Sequence, residues 1–202
     1  MTPPHAAEGE AKHRIPDRYG QKNKRRKISA WQIDPAHSQI QFSVRHMMIS
    51  NLRGRFENFS GDVDYNEQDP FKSSVEVQIE AASINTREPQ RDTHLKSADF
   101  LDAEKHPYLV FRSKRAEKID GNTGRLIGDL TIRDITKEIA LDVEYAGQAK
   151  SPWGTVSAGF SATGKLNRKD WGMNWNQILE AGGILVGDQA SISIEVELIK
   201  QP

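Results

Sequence analysis

The sequence predicts an all-β fold, an eight-stranded antiparallel barrel with one or two short helices in its connections. From Ser38 onward, apolar residues recur at every second position, which places them on one face of a strand. Turn-forming sequences separate successive segments by hairpin-sized gaps, so neighbouring strands should be antiparallel. No internal period of about 20 to 50 residues indicates a repeat protein. A closed up-and-down barrel is favoured over a two-sheet sandwich, the alternative that the same pattern allows.

Eight segments carry the strand pattern. They lie at residues 39–45, 54–65, 75–80, 108–118, 126–132, 138–145, 156–162 and 192–198. In the second segment the alternation slips by one residue between Phe56 and Phe59, as a β-bulge would cause. Hairpin turns are predicted at Asp120–Gly124 and Arg133–Thr136 because both contain residues that tolerate turn conformations.

Two connections are predicted to hold short helices. In residues 88–103, Pro89 suits a first helical turn, and Leu95 and Leu101 are spaced for one face. The second helix is expected in residues 176–185, around Ile178.

The 202 residues include 28 Lys and Arg, 28 Asp and Glu, and no cysteine. Residues 1–27 hold eight basic and three acidic residues, with few apolar ones. They predict a disordered basic tail that precedes a domain at 28–202. Such a tail can make transient contacts with an anionic membrane surface. Since Tyr19 is its only aromatic residue, specific nucleic-acid binding is not expected.

The longest apolar runs have only three or four residues, as at Tyr108–Phe111. A membrane-spanning helix needs about 20, and a signal peptide needs roughly 7 to 15. A cytoplasmic location is therefore expected, and the lack of cysteine excludes a disulfide framework.

The interior of an eight-stranded barrel is either filled by side chains or holds one small ligand. Gly128, Ala158, Ala162 and Gly164 are small residues at inward positions, which favours a cavity. From periodicity alone, the alternative of a solid core packed by these residues is favoured, because aromatic residues at strand positions usually fill a core and pockets are few.

No residue pattern predicts catalysis. There is no cysteine, no GxSxG motif and no phosphate-binding loop. His94, Asp99, Asp102 and His106 lie within thirteen residues and include metal-ligand types, but their spacing matches no specific motif. We expect no metal site, no cofactor and no enzymatic activity.

For two further groups of polar residues, the sequence predicts roles other than catalysis. His37 and His46 flank the first strand pattern, where a structural role is favoured. Arg91, Arg133 and Arg168 each lie near an aspartate in a connection or at a strand end. Such groups lock turns or, at a barrel mouth, bind a polar headgroup.

Six phrases occur in this order: Ile33–Ser38, Phe42–His46, Gly54–Phe56, Arg91–Phe100, Gly128–Thr136 and Asn167–Gly172. Together they resemble the polyisoprenoid-binding YceI-like family, from about Trp31 to Leu198. The resemblance implies a lipocalin-like barrel, one isoprenoid lipid as ligand, and a homodimer as a frequent assembly. It implies no catalytic residue.

The function that this resemblance implies is non-catalytic binding, storage or transport of a long isoprenoid lipid, such as a quinone or a polyprenyl phosphate. The matching residues expected to line the lumen are Phe42, Val44, Phe56, Phe100, Phe111, Phe160, Trp171 and Trp175. Arg91, Arg133 and Arg168 are the headgroup candidates. The alternatives are a metal-binding or enzymatic barrel, and a stress-response module that acts through its surface.

Overall fold

The computed structural model describes residues 30–180 and 182–201. The predicted basic tail at 1–27 lies outside the described residues. Within them, the chain forms eleven strands and one α-helix. The strands are Trp31–Ile33 (β1), Gln39–His46 (β2), Ser50–Phe56 (β3), Phe59–Asp64 (β4), Ser74–Glu80 (β5), Ile84–Asn85 (β6), Tyr108–Asp120 (β7), Thr123–Ile132 (β8), Ile135–Lys150 (β9), Val156–Asn167 (β10) and Val186–Lys200 (β11). The helix α1 spans Pro89–Lys96, and short 3-10 turns lie at Pro70–Lys72, Ala81–Ser83 and Arg168–Trp171.

The strands form a closed antiparallel barrel. The eleven segments make up eight barrel strands, because three of the eight are interrupted and each of these consists of two segments. β1 and β2 both pair with β11, so they are two halves of one strand. β3 and β4 flank the bulge at Glu57 and Asn58, and they pair with β2 and β1 respectively. β6 continues β5 and pairs with β3. The eight-stranded barrel and the slip between Phe56 and Phe59 are therefore confirmed.

Tight hairpins fix the register of the long strands. β8 and β9 pair from Thr123↔Glu144 to Ile132↔Ile135 around a two-residue turn. Its residues Arg133 and Asp134 have φ values of 51° and 64°, the left-handed conformation of the turns that match strand twist. Both predicted hairpins are confirmed.

The helix α1 is shorter than the segment predicted for it. The Glu88 carboxylate accepts hydrogen bonds from the backbone N–H groups of Gln90 and Arg91, and Pro89 occupies the first turn. The helix ends at Ser97, whose backbone is extended. The helix predicted at residues 176–185 is wrong, because that segment turns back on itself. An isolated bridge pairs Ile178 with Ile184.

The apolar interior divides into two clusters. The larger surrounds the middle of the barrel and includes Leu109, Leu130 and Trp171. The smaller contains Trp31, Val63, Tyr65, Ala158 and Leu198. These residues lie where β10 begins and β11 ends, so the smaller cluster closes that end of the barrel.

Candidate ligand-binding cavity

A cavity of about 560 Å³ lies inside the barrel, within the usual range for small-molecule sites. Its wall is built from inward-facing apolar residues of β2, β3, β5 and β7–β11. Seven of the eight expected wall residues lie on it, namely Phe42, Val44, Phe56, Phe100, Phe111, Trp171 and Trp175. The interior is therefore neither solid nor polar.

Phe160 does not line this cavity, in contrast to the expectation. Its ring packs 5.8 Å from that of Tyr65 and 5.1 Å from that of Tyr145, centroid to centroid, in the cluster that closes the barrel. The pairing of β9 with β10 shifts register between Gly159 and Phe160. Strand alternation correctly places Phe160 inside, but its position along the strand puts it below the cavity floor.

Hydrogen bonds hold the floor together. The Tyr65 hydroxyl donates to the Tyr145 hydroxyl at 3.2 Å and accepts from Gln148 Nε2 at 2.9 Å. Burial raises the pKa of Tyr65 to about 12. Beside it, Trp31 Nε1 donates to Glu67 at 3.1 Å. These bonds satisfy the polar groups of the aromatic cluster, so that it can be buried.

Polar side chains occur at the other end of the cavity. They are Arg45, His46, Glu88, Gln90, Arg91, His94 and Arg168. Arg45 and Gln90 line the cavity and are also exposed. The cavity therefore opens to solvent between the β2–β3 hairpin and α1, and we call this opening the mouth.

An aromatic group forms one side of the mouth. The His94 ring lies 4.6 Å from Trp175 and 5.1 Å from Phe100, and these two rings lie 5.4 Å apart. Nε2 of His94 is 2.8 Å from an oxygen of Asp99. This contact orients the imidazole edge against both rings.

A YceI-like domain model matches residues 31–198. The chain belongs to the YceI-like family. A UPF0312 protein of Staphylococcus aureus (strain N315) is 35% identical over 166 residues, covering 82% of this chain and 94% of that protein. The crystal structure of a Campylobacter jejuni YCEI protein has 35% identity and a TM-score of 0.67, covering 78% of this chain and 90% of that one. A polyisoprenoid binding domain from Saccharophagus degradans shares the fold, with 12% identity, a TM-score of 0.59, and coverage of 86% and 99%.

In this YceI-like barrel, Arg91 faces the cavity from α1. Its Nε donates to Thr86 Oγ1 at 2.8 Å, and its Nη2 donates to the Thr86 carbonyl at 2.9 Å. Asp92 in turn accepts from the Thr86 hydroxyl and backbone N–H. These contacts fix the half-buried guanidinium group at the mouth.

Arg168 also borders the cavity, but its donors are used within the protein. The side chain is 5% exposed, and Nε donates to the Gly187 carbonyl at 3.0 Å. Nη1 donates to the Met173 carbonyl, and Nη2 lies 3.5 Å from both the Val186 carbonyl and an Asp188 oxygen. Burial lowers the pKa of Arg168, and the charge of Asp188 opposes this. Arg168 thus ties residues 172–188 to the barrel.

Arg133 is not part of the cavity wall of the YceI-like barrel. It belongs to the β8–β9 turn, where its Nη1 donates to the Gly172 carbonyl at 3.3 Å. Of the three arginines proposed from sequence, two border the cavity and one contributes to packing outside it.

The four potential metal ligands noted in the sequence, two histidines and two aspartates, form separate contacts in the YceI-like domain. His94 meets Asp99, whereas His106 lies 3.9 Å from Asp102 and 3.4 Å from Asp134. Among residues 30–180 and 182–201, the three potential metal ligands whose side-chain atoms lie close together are instead Asp34, His37 and Glu197.

The role of Asp34 in that group is to close a turn. Its carboxylate accepts from the Ala36 backbone N–H at 2.9 Å and lies 2.8 Å from Nδ1 of His37. His37 therefore has a structural contact, as expected, whereas His46 lines the cavity.

Two inward glycines of the YceI-like barrel make room for its aromatic wall. A Cβ on Gly54 would lie 2.4 Å from Cζ of Phe42, and one on Gly128 would lie 2.6 Å from Cζ of Phe111. A side chain at either position would clash with the ring, so the glycines make room for these two aromatic residues of the wall. Of the described part of the chain, no helix is long and apolar enough to span a bilayer.

Proposed function

We propose that this YceI-like protein binds a long isoprenoid lipid without catalysis, for storage or transport. The observation that carries the proposal is the apolar cavity of about 560 Å³, closed at one end and edged with polar side chains at the other. This shape suits a molecule with a long apolar chain and one polar end. The fold shared with a polyisoprenoid binding domain also supports it.

Burial of the chain would supply the affinity. Each buried CH₂ group contributes about 0.8 kcal/mol, so a five-carbon prenyl unit contributes about 3 to 4 kcal/mol. Association costs on the order of 4 to 15 kcal/mol, which a few prenyl units offset. The affinity should therefore depend strongly on chain length.

Arg91 is the best candidate for contact with the polar end of the lipid. It borders the cavity at the mouth, and Thr86 holds it in place. A carbonyl oxygen of a quinone or a phosphate oxygen would accept a hydrogen bond from it. Arg168 is a weaker candidate because it already donates to backbone carbonyls.

The first experiment identifies what the purified protein carries. Protein purified without detergent is extracted with organic solvent and analysed by mass spectrometry, with metal analysis of the same sample. A near-stoichiometric prenyl lipid without metal supports the proposal. Stoichiometric zinc would favour the metal-binding alternative. A protein that neither contains nor takes up prenyl lipid would favour a module acting through its surface.

A matched pair of variants tests whether the cavity is the binding site. Ala190 lines the cavity on β11, whereas Ala140 is exposed on the outer face of β9. Ala190→Trp should fill the space between its strand neighbours Val44 and Leu166 and abolish lipid uptake. Ala140→Trp should bind lipid as the wild type does. Equal uptake by the two folded variants would exclude the cavity as the site.

A further inference from the structure

Two loop tips beside the mouth expose large apolar side chains. The tip of the β2–β3 hairpin consists of Met47, Met48 and Ile49, and the exposed fractions of Met48 and Ile49 are 59% and 80%. Met47 and Met48 both have positive φ values, 51° and 63°, in a turn that normally favours Asn and Gly. Neither turn geometry nor internal packing explains these residues. The second tip is formed by Ile178 and Ile184, which pair with each other, and Ile178 is 87% exposed.

The two tips lie side by side. The Met47 backbone N–H donates to the Leu185 carbonyl at 2.8 Å, and the Leu185 N–H donates to the Gln177 carbonyl at 2.9 Å. The bridge between Ile178 and Ile184 continues this arrangement. Because Leu185 and the adjoining His46 line the cavity, both tips stand at the mouth.

Basic side chains lie directly behind the apolar tip. Arg45 and Arg53 are exposed on β2 and β3. Their neighbour Arg55 pairs with Glu57, whereas Arg45 and Arg53 form no ion pair with any acidic residue in 30–180 and 182–201. Arg45 stands two residues before the turn and Arg53 four residues after it, roughly 7 and 13 Å at strand spacing.

We propose that these two tips dock on an anionic lipid bilayer and hold the mouth against it. The isoleucine and methionine side chains would enter the headgroup and acyl boundary, about 5 to 10 Å deep. Arg45 and Arg53 would then lie at the level of the lipid phosphates. Seated in this way, the mouth lets a lipid pass between bilayer and cavity without crossing water. That last step rests on the proposed function, whereas the docking does not.

The opposite end of the barrel supplies a matched control. Ile119 and Trp153 are 62% and 89% exposed there, at the ends of β7 and before β10. Ala30 also lies at this closed end, where its carbonyl accepts from the Gln201 N–H. Residue 30, the first that the structure describes, therefore lies at the end away from the mouth.

The test uses the full chain and vesicles of phosphatidylcholine with phosphatidylglycerol, compared with phosphatidylcholine alone. The double variant Ile49→Ser, Ile178→Ser should bind at least about ten-fold more weakly. The control Ile119→Ser, Trp153→Ser should bind as the wild type does. Arg53→Gln should reduce the preference for anionic vesicles. All replaced side chains are exposed, so the variants should fold.

Site-specific labelling gives a second readout, because the chain has no cysteine of its own. A polarity-sensitive dye on Ile49→Cys should shift to the blue when vesicles are added, and the same dye on Ile119→Cys should not. Equal responses at both positions, or wild-type binding by the Ile49→Ser, Ile178→Ser variant, would overturn the proposal. A third result would also overturn it: the protein is a dimer, the dye at position 49 does not respond to vesicles, and the Ile49→Ser, Ile178→Ser variant is a monomer. The tips would then form a subunit interface.

Uptake of geranylgeraniol added without vesicles separates this proposal from the proposed function. The Ile49→Ser, Ile178→Ser variant should retain uptake while losing vesicle binding, because neither residue lines the cavity. If the wild type binds vesicles but takes up no prenyl chain, docking stands and the proposed function fails. If it takes up the chain and ignores vesicles, docking alone fails.

Discussion

Replacing Arg168 with methionine should destabilise the domain by about 3 to 5 kcal/mol. The guanidinium group donates to the carbonyls of Gly187 and Met173, with a weaker contact to that of Val186. A charged hydrogen bond contributes about 1.5 to 3 kcal/mol, and the two shorter bonds account for most of the effect. Methionine keeps the apolar stem but leaves these carbonyls without a donor.

Urea denaturation measures the effect, with Lys169→Met as the matched control. Lys169 forms an exposed ion pair with Asp188 at 2.8 Å, and losing it should cost less than about 1 kcal/mol. If Arg168→Met lost under about 1 kcal/mol with an unchanged m-value, the structural role assigned to Arg168 would be refuted. Loss of bound lipid at unchanged stability would identify Arg168 as a headgroup contact instead.

Two further predictions concern the floor and the wall of the barrel. Burial raises the pKa of Tyr65 from 10.0 to about 12, so the unfolded chain loses this proton first as the pH rises. The folded state should therefore lose about 2 to 3 kcal/mol of stability between about pH 10 and pH 12. The Tyr65→Phe variant lacks this hydroxyl, so its urea midpoint should fall less steeply over this pH range than that of the wild type. Parallel profiles for the two proteins would contradict the raised pKa of Tyr65. Gly128→Ala should cost about 1 to 3 kcal/mol, since the added Cβ would lie 2.4 Å from the Arg112 carbonyl oxygen. Thermal denaturation should show little change for the control Gly159→Ala, whose Cβ would approach no atom closer than 3.4 Å, and equal effects of the two would count against the crowding argument.

Strand alternation predicted the architecture because it is a local property of the chain. Each inward residue must be apolar wherever a strand faces the interior, so Ile139, Leu141 and Val143 mark β9 without reference to any partner. The bulge at Glu57 and Asn58 was equally visible, since it breaks the alternation where it occurs. Interrupted strands such as β1 and β2 were harder to delimit, because only their shared pairing with β11 shows that they are parts of one barrel strand.

The segment 176–185 shows where a local pattern misleads. Ile178 and Leu179 suggested an apolar helix face, yet Ile178 is exposed. Gly182 and Gly183 have φ values of 82° and 94°, which turn the chain back toward β11. A backbone hydrogen bond from Met47 to the Leu185 carbonyl joins this segment to the β2–β3 hairpin, which is far away in sequence.

By itself, the sequence determined which side chains face the interior, because alternation encodes the face of a strand. It did not determine how deep along the barrel each side chain lies. Phe160 and Phe111 were indistinguishable as inward aromatic residues of a strand, but only Phe111 borders the cavity. Nor could it show that Arg168 donates to carbonyls of a distant segment, whereas Arg91 stands at the mouth. Depth and hydrogen-bond partners depend on how strands far apart in the chain are aligned, and only the tertiary structure decided that alignment.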